Sequence, residues 1–184
     1  MPGHRATLEE RAVEIAEFLA VPEILARERL GWGFARNHAL VATDFRKANP
    51  QSHEELLAWY RATGQYIWEL SAYHLDQGFN YVGMCAGLAA HLPEETSVLC
   101  LGDGIGDLSL AMIEAGHVVA YHDLAGSRTA EFAMFRFDRS FGAGQPGTFQ
   151  AIGLLMSKDF SPPDLHGRHP GAILALDFLE HVPN

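Results

Sequence analysis

The chain reads as an α/β protein, a parallel sheet covered by helices and preceded by an all-helical region, and three observations lead there. Helical spacing with capping signals runs through about the first ninety residues. At Thr96 the pattern changes to short apolar runs that alternate with helical ones, and the first of those runs ends in a glycine cluster.

Thr7-Leu8-Glu9-Glu10 has the hydroxyl-to-carboxylate spacing of a capping box, and Ala12, Ile15, Ala16 and Leu19 follow at helical spacing, so a helix opens here. Pro22 suits the start of a second helix through Leu30, which Gly31-Trp32-Gly33 breaks. The basic residues from Arg36 to Lys47 read as a solvated helix face, and the remaining Lys and Arg residues as scattered single charges apart from the loose pair Arg27 and Arg29. Ser52-His53-Glu54-Glu55 repeats the capping signal ahead of Leu56, Leu57 and Tyr60. Tyr66, Ile67, Leu70, Tyr73 and His74 keep the helical period, and an apolar helix runs from beyond Gly78 to about Leu92, where Pro93 ends it. With Trp32, Trp59 and Trp68 and no evident strand, this half reads as a cover or docking bundle whose aromatic residues are mainly core. Tyr66, Tyr73 and His74 either close over a ligand or pack inside.

Beyond Thr96, Ser97 to Leu101 is a strand, Asp107 to Ala115 a helix closed by Gly116, and His117 to Tyr121 a strand ending at Asp123. Ser127 to Arg139 gives a further helix, Phe149 to Met156 a third strand and Ala172 to Leu176 a fourth. Such alternation implies parallel strands with right-handed crossovers. The division is therefore 1–95, helical, and 96–184, α/β.

Composition narrows the function. The 184 residues are 48% hydrophobic with a formal net charge of -10, so a phosphate backbone is repelled and no basic patch compensates; nucleic acid is not an expected partner. Cys85 and Cys100 have no pairing pattern, no signal core precedes Thr7, and no apolar run is long enough to span a bilayer. The expectation is a cytoplasmic protein that does not engage membranes. The histidines His117, His122, His166 and His169 do not form a ligand set, so no metal is expected.

The chemistry centres on Leu101-Gly102-Asp103-Gly104-Ile105-Gly106-Asp107, set between a buried strand and a helix. Glycines there allow a tight turn and close approach to a ligand, and the new helix directs free N–H groups into the same space. A dinucleotide fingerprint has a small residue where Asp107 stands, and acids at 103 and 107 would repel a pyrophosphate but not a cationic sulfonium. Seventeen residues past Gly106, Asp123 closes the second strand, where a carboxylate can accept bonds from vicinal ribose hydroxyls.

Together, residues 98–107, His122-Asp123-Leu124 and the run Ala172 to Pro183 resemble, in order, motif I, the second-strand acid and the fourth-strand motif of class I S-adenosylmethionine-dependent methyltransferases. The resemblance implies a Rossmann-like sheet of strand order 3-2-1-4 that binds S-adenosylmethionine and releases S-adenosylhomocysteine. It implies that Gly102, Gly104 and Gly106, between Leu101 and the helix, wrap the methionine portion, with Asp103 near the amino group. Asp123, followed by Leu124, holds the ribose; Asp159 and Phe160 lie where adenine contacts fall; and Asp177 ends the fourth strand beside methyl group and substrate. His181, just after it, is the candidate general base, against a simpler role in orienting the next helix.

Two departures stand out. Cys100 occupies a position where members often carry an acid, and the sequence ends at Asn184 where the family continues through further strands. An open fourth strand leads to the expectation of a fragment, a truncated form, or self-association that covers the edge. The expected activity is methyl transfer to a small-molecule acceptor. The alternatives are a non-catalytic nucleoside-binding or scaffold module and, more distantly, a nicotinamide dehydrogenase.

Overall fold

The computed structural model describes residues 7–142, 152–157 and 169–176. The helices α1 (Leu8–Leu19), α2 (Glu23–Leu30), α3 (Gly33–Ala48), α4 (His53–Ala62), α5 (Gln65–His74) and α6 (Tyr81–His91) come first. They are followed by β1 (Ser97–Leu101), α7 (Asp107–Glu114), β2 (Val118–Leu124), α8 (Arg128–Phe141), β3 (Ile152–Ser157) and β4 (Ala172–Leu174).

Side-chain caps set three of the eight described helix starts. At α1 the capping box closes both ways: the Thr7 hydroxyl accepts from the Glu10 N–H at 3.2 Å, and the Glu10 carboxylate accepts from the Thr7 N–H at 2.8 Å. At α4 only half of it recurs, because Glu55 accepts from the N–H of Gln51 rather than of Ser52. The Ser127 hydroxyl caps α8 through Ala130. Pro22 sits one residue ahead of α2, and β4 stops at Leu174, two residues short of the expected strand.

The four strands form one parallel sheet in the order β3-β2-β1-β4, so the expected Rossmann-like arrangement behind a helical region is what the chain adopts. The chain steps outward from β1 through β2 to β3, then returns to the other side of β1 for β4. The strand order thus reverses at β1, and a crevice opens at the carboxyl ends of β1 and β4. The outer side of β4 has no strand partner among the described residues, and Ile173 there is exposed.

Two apolar cores flank that crevice. The first joins α6 (Tyr81, Cys85), β1 (Val98, Cys100), α7 (Leu108, Met112), β2 (Val119, Tyr121) and α8 (Ala133, Phe137). The second gathers Ala12 and Ile15 of α1, Leu30 of α2, and Ile67 and Trp68 of α5 around Ile105 and Phe132. Ile105 belongs to the glycine turn, so the helical half is packed directly on the segment between β1 and α7. Both cysteines are free and buried, and burial pushes their thiols well above the ordinary range.

Candidate functional site

Three glycines at positive φ, Gly102, Gly104 and Gly106, carry the chain from β1 into α7. Protein groups hold this turn on every side. Gly102 N–H donates to the His122 carbonyl at 2.8 Å, the Tyr121 hydroxyl donates to the Gly104 carbonyl at 2.8 Å, and Arg136 Nη1 donates to the Ile105 carbonyl at 2.6 Å. A Cβ at Gly106 would stand 2.8 Å from Phe137 Cζ, so that glycine lets the turn pack against α8. At Gly104 a Cβ would meet Leu70 of α5 at 2.9 Å.

Asp123 grips the same turn. Its Oδ2 accepts from the Gly104 N–H at 2.7 Å and its Oδ1 from the Leu124 N–H at 2.6 Å. Burial raises the carboxyl to about 6 despite those bonds. The Tyr121 hydroxyl is a further hydrogen-bonding neighbour of the carboxylate, and the lone pairs left over can accept from another donor. Leu124 itself is buried, and Leu101 is half-buried at the end of β1.

Asp103 and Asp107 behave differently. Asp103 accepts from the N–H groups of Leu108 and Ser109 at 3.0 and 2.7 Å, and burial pushes its carboxyl up to about 7. Its side chain thus serves the free N–H groups of α7. Asp107 faces the opposite way, into a buried charge cluster. Its Oδ1 lies 2.6 Å from Arg11 Nη2 and 2.8 Å from Arg136 Nη2, and its Oδ2 lies 2.6 Å from His74 Nδ1. Burial works against the charged form, but the two guanidiniums outweigh it and, with His74, hold the carboxyl well below the usual range. Arg136 Nε also bonds Glu14 at 3.0 Å. Arg11 and Arg136 are therefore buried ion-pair partners, brought together in space although scattered singly along the sequence. The cluster corrects the electrostatic reading of the turn: Asp107 is neutralised from behind, and only Asp103 remains as an acid facing forward.

In front of the turn lies a cavity of about 410 Å³, within the usual size range of small-molecule sites. It occupies the crevice at the carboxyl ends of β1 and β4, lined by Gly102, Asp103 and Gly104 from one strand end and Leu176 from the other. The helical half roofs it. Phe34, His38 and Val41 come from α3, and Tyr66, Glu69, Leu70, Tyr73 and His74 from α5; each set repeats at the three-to-four-residue period that places side chains on one helix face. Phe79 and Tyr81 complete the wall. The His74 ring stacks on Tyr81 with centroids 3.7 Å apart, and His38 Nδ1 lies 2.5 Å from Glu69 Oε1.

Of the residues singled out in the sequence, Gly102, Asp103 and Gly104 line this cavity, and Asp123 stands behind the amide of Gly104. Leu101, Gly106, Asp123 and Leu124 are not among its lining residues. Asp159, Phe160, Asp177 and His181 lie outside the described residues. Tyr66, Tyr73 and His74 both pack and line the cavity. Phe34, His38, Val41, Glu69 and Tyr81 went unmarked in the sequence, although their helical spacing was visible. A second cavity, behind the turn between α1, α7 and α8, is lined by Glu9, Glu10, Glu14 and Glu114 together with Arg136 and Arg139 and has no strand ends.

No family model matches the chain, and no curated protein does. Among solved structures it is similar to the mitomycin 7-O-methyltransferase MmcR, at 16% identity and a TM-score of 0.47, over 95% of this chain and 47% of that one. The chain thus spans about half the length of that protein. At this level of likeness, the reading of the site rests on the residues of this chain alone. No helix among the described residues is long and apolar enough to cross a membrane.

Proposed function

We propose that this chain is the cofactor-binding part of an S-adenosylmethionine-dependent methyltransferase acting on a small-molecule acceptor. The observation that carries the reading is the position of the cavity. It lies at the point where the strand order reverses, bounded by a glycine turn that is itself tied to the acid closing β2. Its chemistry suits the donor: among the described lining residues there is an acid beside the glycines and no lysine or arginine, which favours a sulfonium with an ammonium tail over a pyrophosphate.

When bound, the donor supplies an electrophilic methyl group. The protein's part is to hold the acceptor in line with it and to keep water out. The aromatic faces of α3 and α5 provide the cover, and Asp123 offers its remaining lone pairs to ribose hydroxyls. Of the residues beyond those described, Asp177 belongs to the same proposal as donor contact. Self-association through the outer side of β4 would cover that edge.

Titration calorimetry with S-adenosylmethionine and S-adenosylhomocysteine tests the proposal. Both should bind, and Asp123→Ala should weaken binding by about 1–3 kcal/mol through loss of charge-assisted hydrogen bonds. Unchanged affinity in a folded Asp123→Ala protein would remove that residue from the site. The non-catalytic module keeps some support, because Asp103 and Asp123 each spend both oxygens on backbone amides. Binding without methyl transfer to any acceptor would favour it.

A further inference from the structure

We infer that the acceptor is an arylalkyl amine whose ammonium lies against the His38–Glu69 pair and whose ring lies among the tyrosines and phenylalanines of the roof. This rests on the reading of the cavity as a methyl-transfer site.

Three observations lead to an amine. The first is the wall. Tyr73 meets Phe79 edge-on at 4.6 Å between centroids and contacts Phe34 at 5.3 Å and Tyr81 at 5.9 Å, so four rings form one continuous aromatic surface. Such a surface receives a flat ring by offset or edge contact, and a cation by its negative faces. The second is the charge. The Glu69 side chain is 8% exposed, Asp103 stands at the far end, and no lysine or arginine lines the cavity among the described residues. An acidic acceptor would meet the buried Glu69 carboxylate with no lysine or arginine beside it, whereas an ammonium gains from it.

The third is the pair of histidines. Nδ1 of each is committed to a carboxylate, His38 to Glu69 and His74 to Asp107, which leaves Nε2 as the ring nitrogen able to meet a ligand. Their surroundings separate them. His74 is buried, and its carboxylate is already shared with Arg11 and Arg136, so a proton there would add a third cation to a neutralised cluster. His38 is 60% exposed at the cavity mouth, with a buried carboxylate behind it. His38 can take a proton from the ligand and pass it to water. The ammonium gives one proton to His38 Nε2, which releases it to solvent. The freed nitrogen lone pair then bonds to the methyl carbon and displaces the thioether, the carbon–sulfur electron pair staying on sulfur. The product leaves as a secondary ammonium.

The test is calorimetry on the full chain saturated with S-adenosylhomocysteine, using three probes of nearly the same shape and different charge: 2-phenylethylamine, 2-phenylethanol and phenylacetate. The amine should bind most tightly, on the order of fivefold to tenfold over the alcohol, and phenylacetate least. Glu69→Gln, checked for an intact thermal transition, should bring amine and alcohol toward parity. Equal or tighter binding of the alcohol or of phenylacetate overturns the inference, as does absence of binding by all three. Full amine preference in Glu69→Gln overturns the role given to the pair. If S-adenosylhomocysteine fails to bind while the amine keeps its preference, the methyl-donor reading falls and the aromatic cation site stands.

Discussion

Asp103 and Asp107 lie four residues apart on one turn, yet the regions they serve differ in kind. Behind the turn, Asp107 joins Arg11 of α1, His74 of α5 and Arg136 of α8 in a buried cluster. In front, Asp103 lines a cavity walled by aromatic rings, and its carboxylate accepts from the backbone amides of Leu108 and Ser109. Charge explains the contrast. Two guanidiniums keep Asp107 ionised in spite of burial, while hydrogen bonds alone leave Asp103 with a carboxyl raised to about 7. One acid is a fixed tie between the helical roof and the turn; the other is a buried carboxyl at the cavity, raised by desolvation.

Removing the tie should have the largest effect. Asp107→Asn leaves Arg11 and Arg136 buried with Glu14 as their remaining acid, and should destabilise the protein by about 3–5 kcal/mol in urea unfolding. A loss below about 1 kcal/mol, the scale of a surface pair, would mean that the apolar core around Ile105 holds the roof without the cluster. Gly106→Ala comes next. It forces a side chain into φ +82° and against Phe137, and should cost about 2–4 kcal/mol from backbone and overpacking effects combined. A near-neutral result would show that α8 yields easily and that the turn is not clamped from that side.

How much of this was readable in the sequence depends on the range of each interaction. The capping box at Thr7, the cap at Ser127 and the break at Pro93 are signals between near neighbours, and the strand order follows once three motifs fall in sequence. The run from Arg36 to Lys47 was seen as a solvated face, which is right for its charges. It hid the other face of α3, where Phe34, His38 and Val41 meet α5 across the cavity. The fates of Asp103 and Asp107 were equally hidden, because nothing local marks Arg11 or Arg136 as a partner to a residue about a hundred positions or about thirty positions away. The family resemblance groups Gly106 with the ligand-wrapping glycines, and the packing of α8 sets it apart.

The smallest of these effects is a pH dependence. In its folded setting the Asp103 carboxyl is raised from 3.8 to about 7, so the native state binds that proton more tightly than the unfolded chain. Its contribution to stability is fully present below the unfolded value and is lost as pH rises through about 7. Asp103→Asn should remove that part of the profile, so the stability of wild type relative to variant should fall between about pH 4 and pH 7 and level off above that. Parallel pH profiles for the two proteins would show that Asp103 is as firmly ionised as Asp107.

The most direct test of the account is amide nuclear magnetic resonance of the full chain during addition of S-adenosylhomocysteine. The prediction is saturable shifts at Gly102, Asp103 and Gly104, at Asp123, and on the α5 face carrying Tyr66 and Tyr73, with Glu9, Glu114 and Arg139 around the rear cavity unmoved. Shifts confined to the rear cavity, or none at concentrations that saturate ordinary methyl-donor sites, would contradict it.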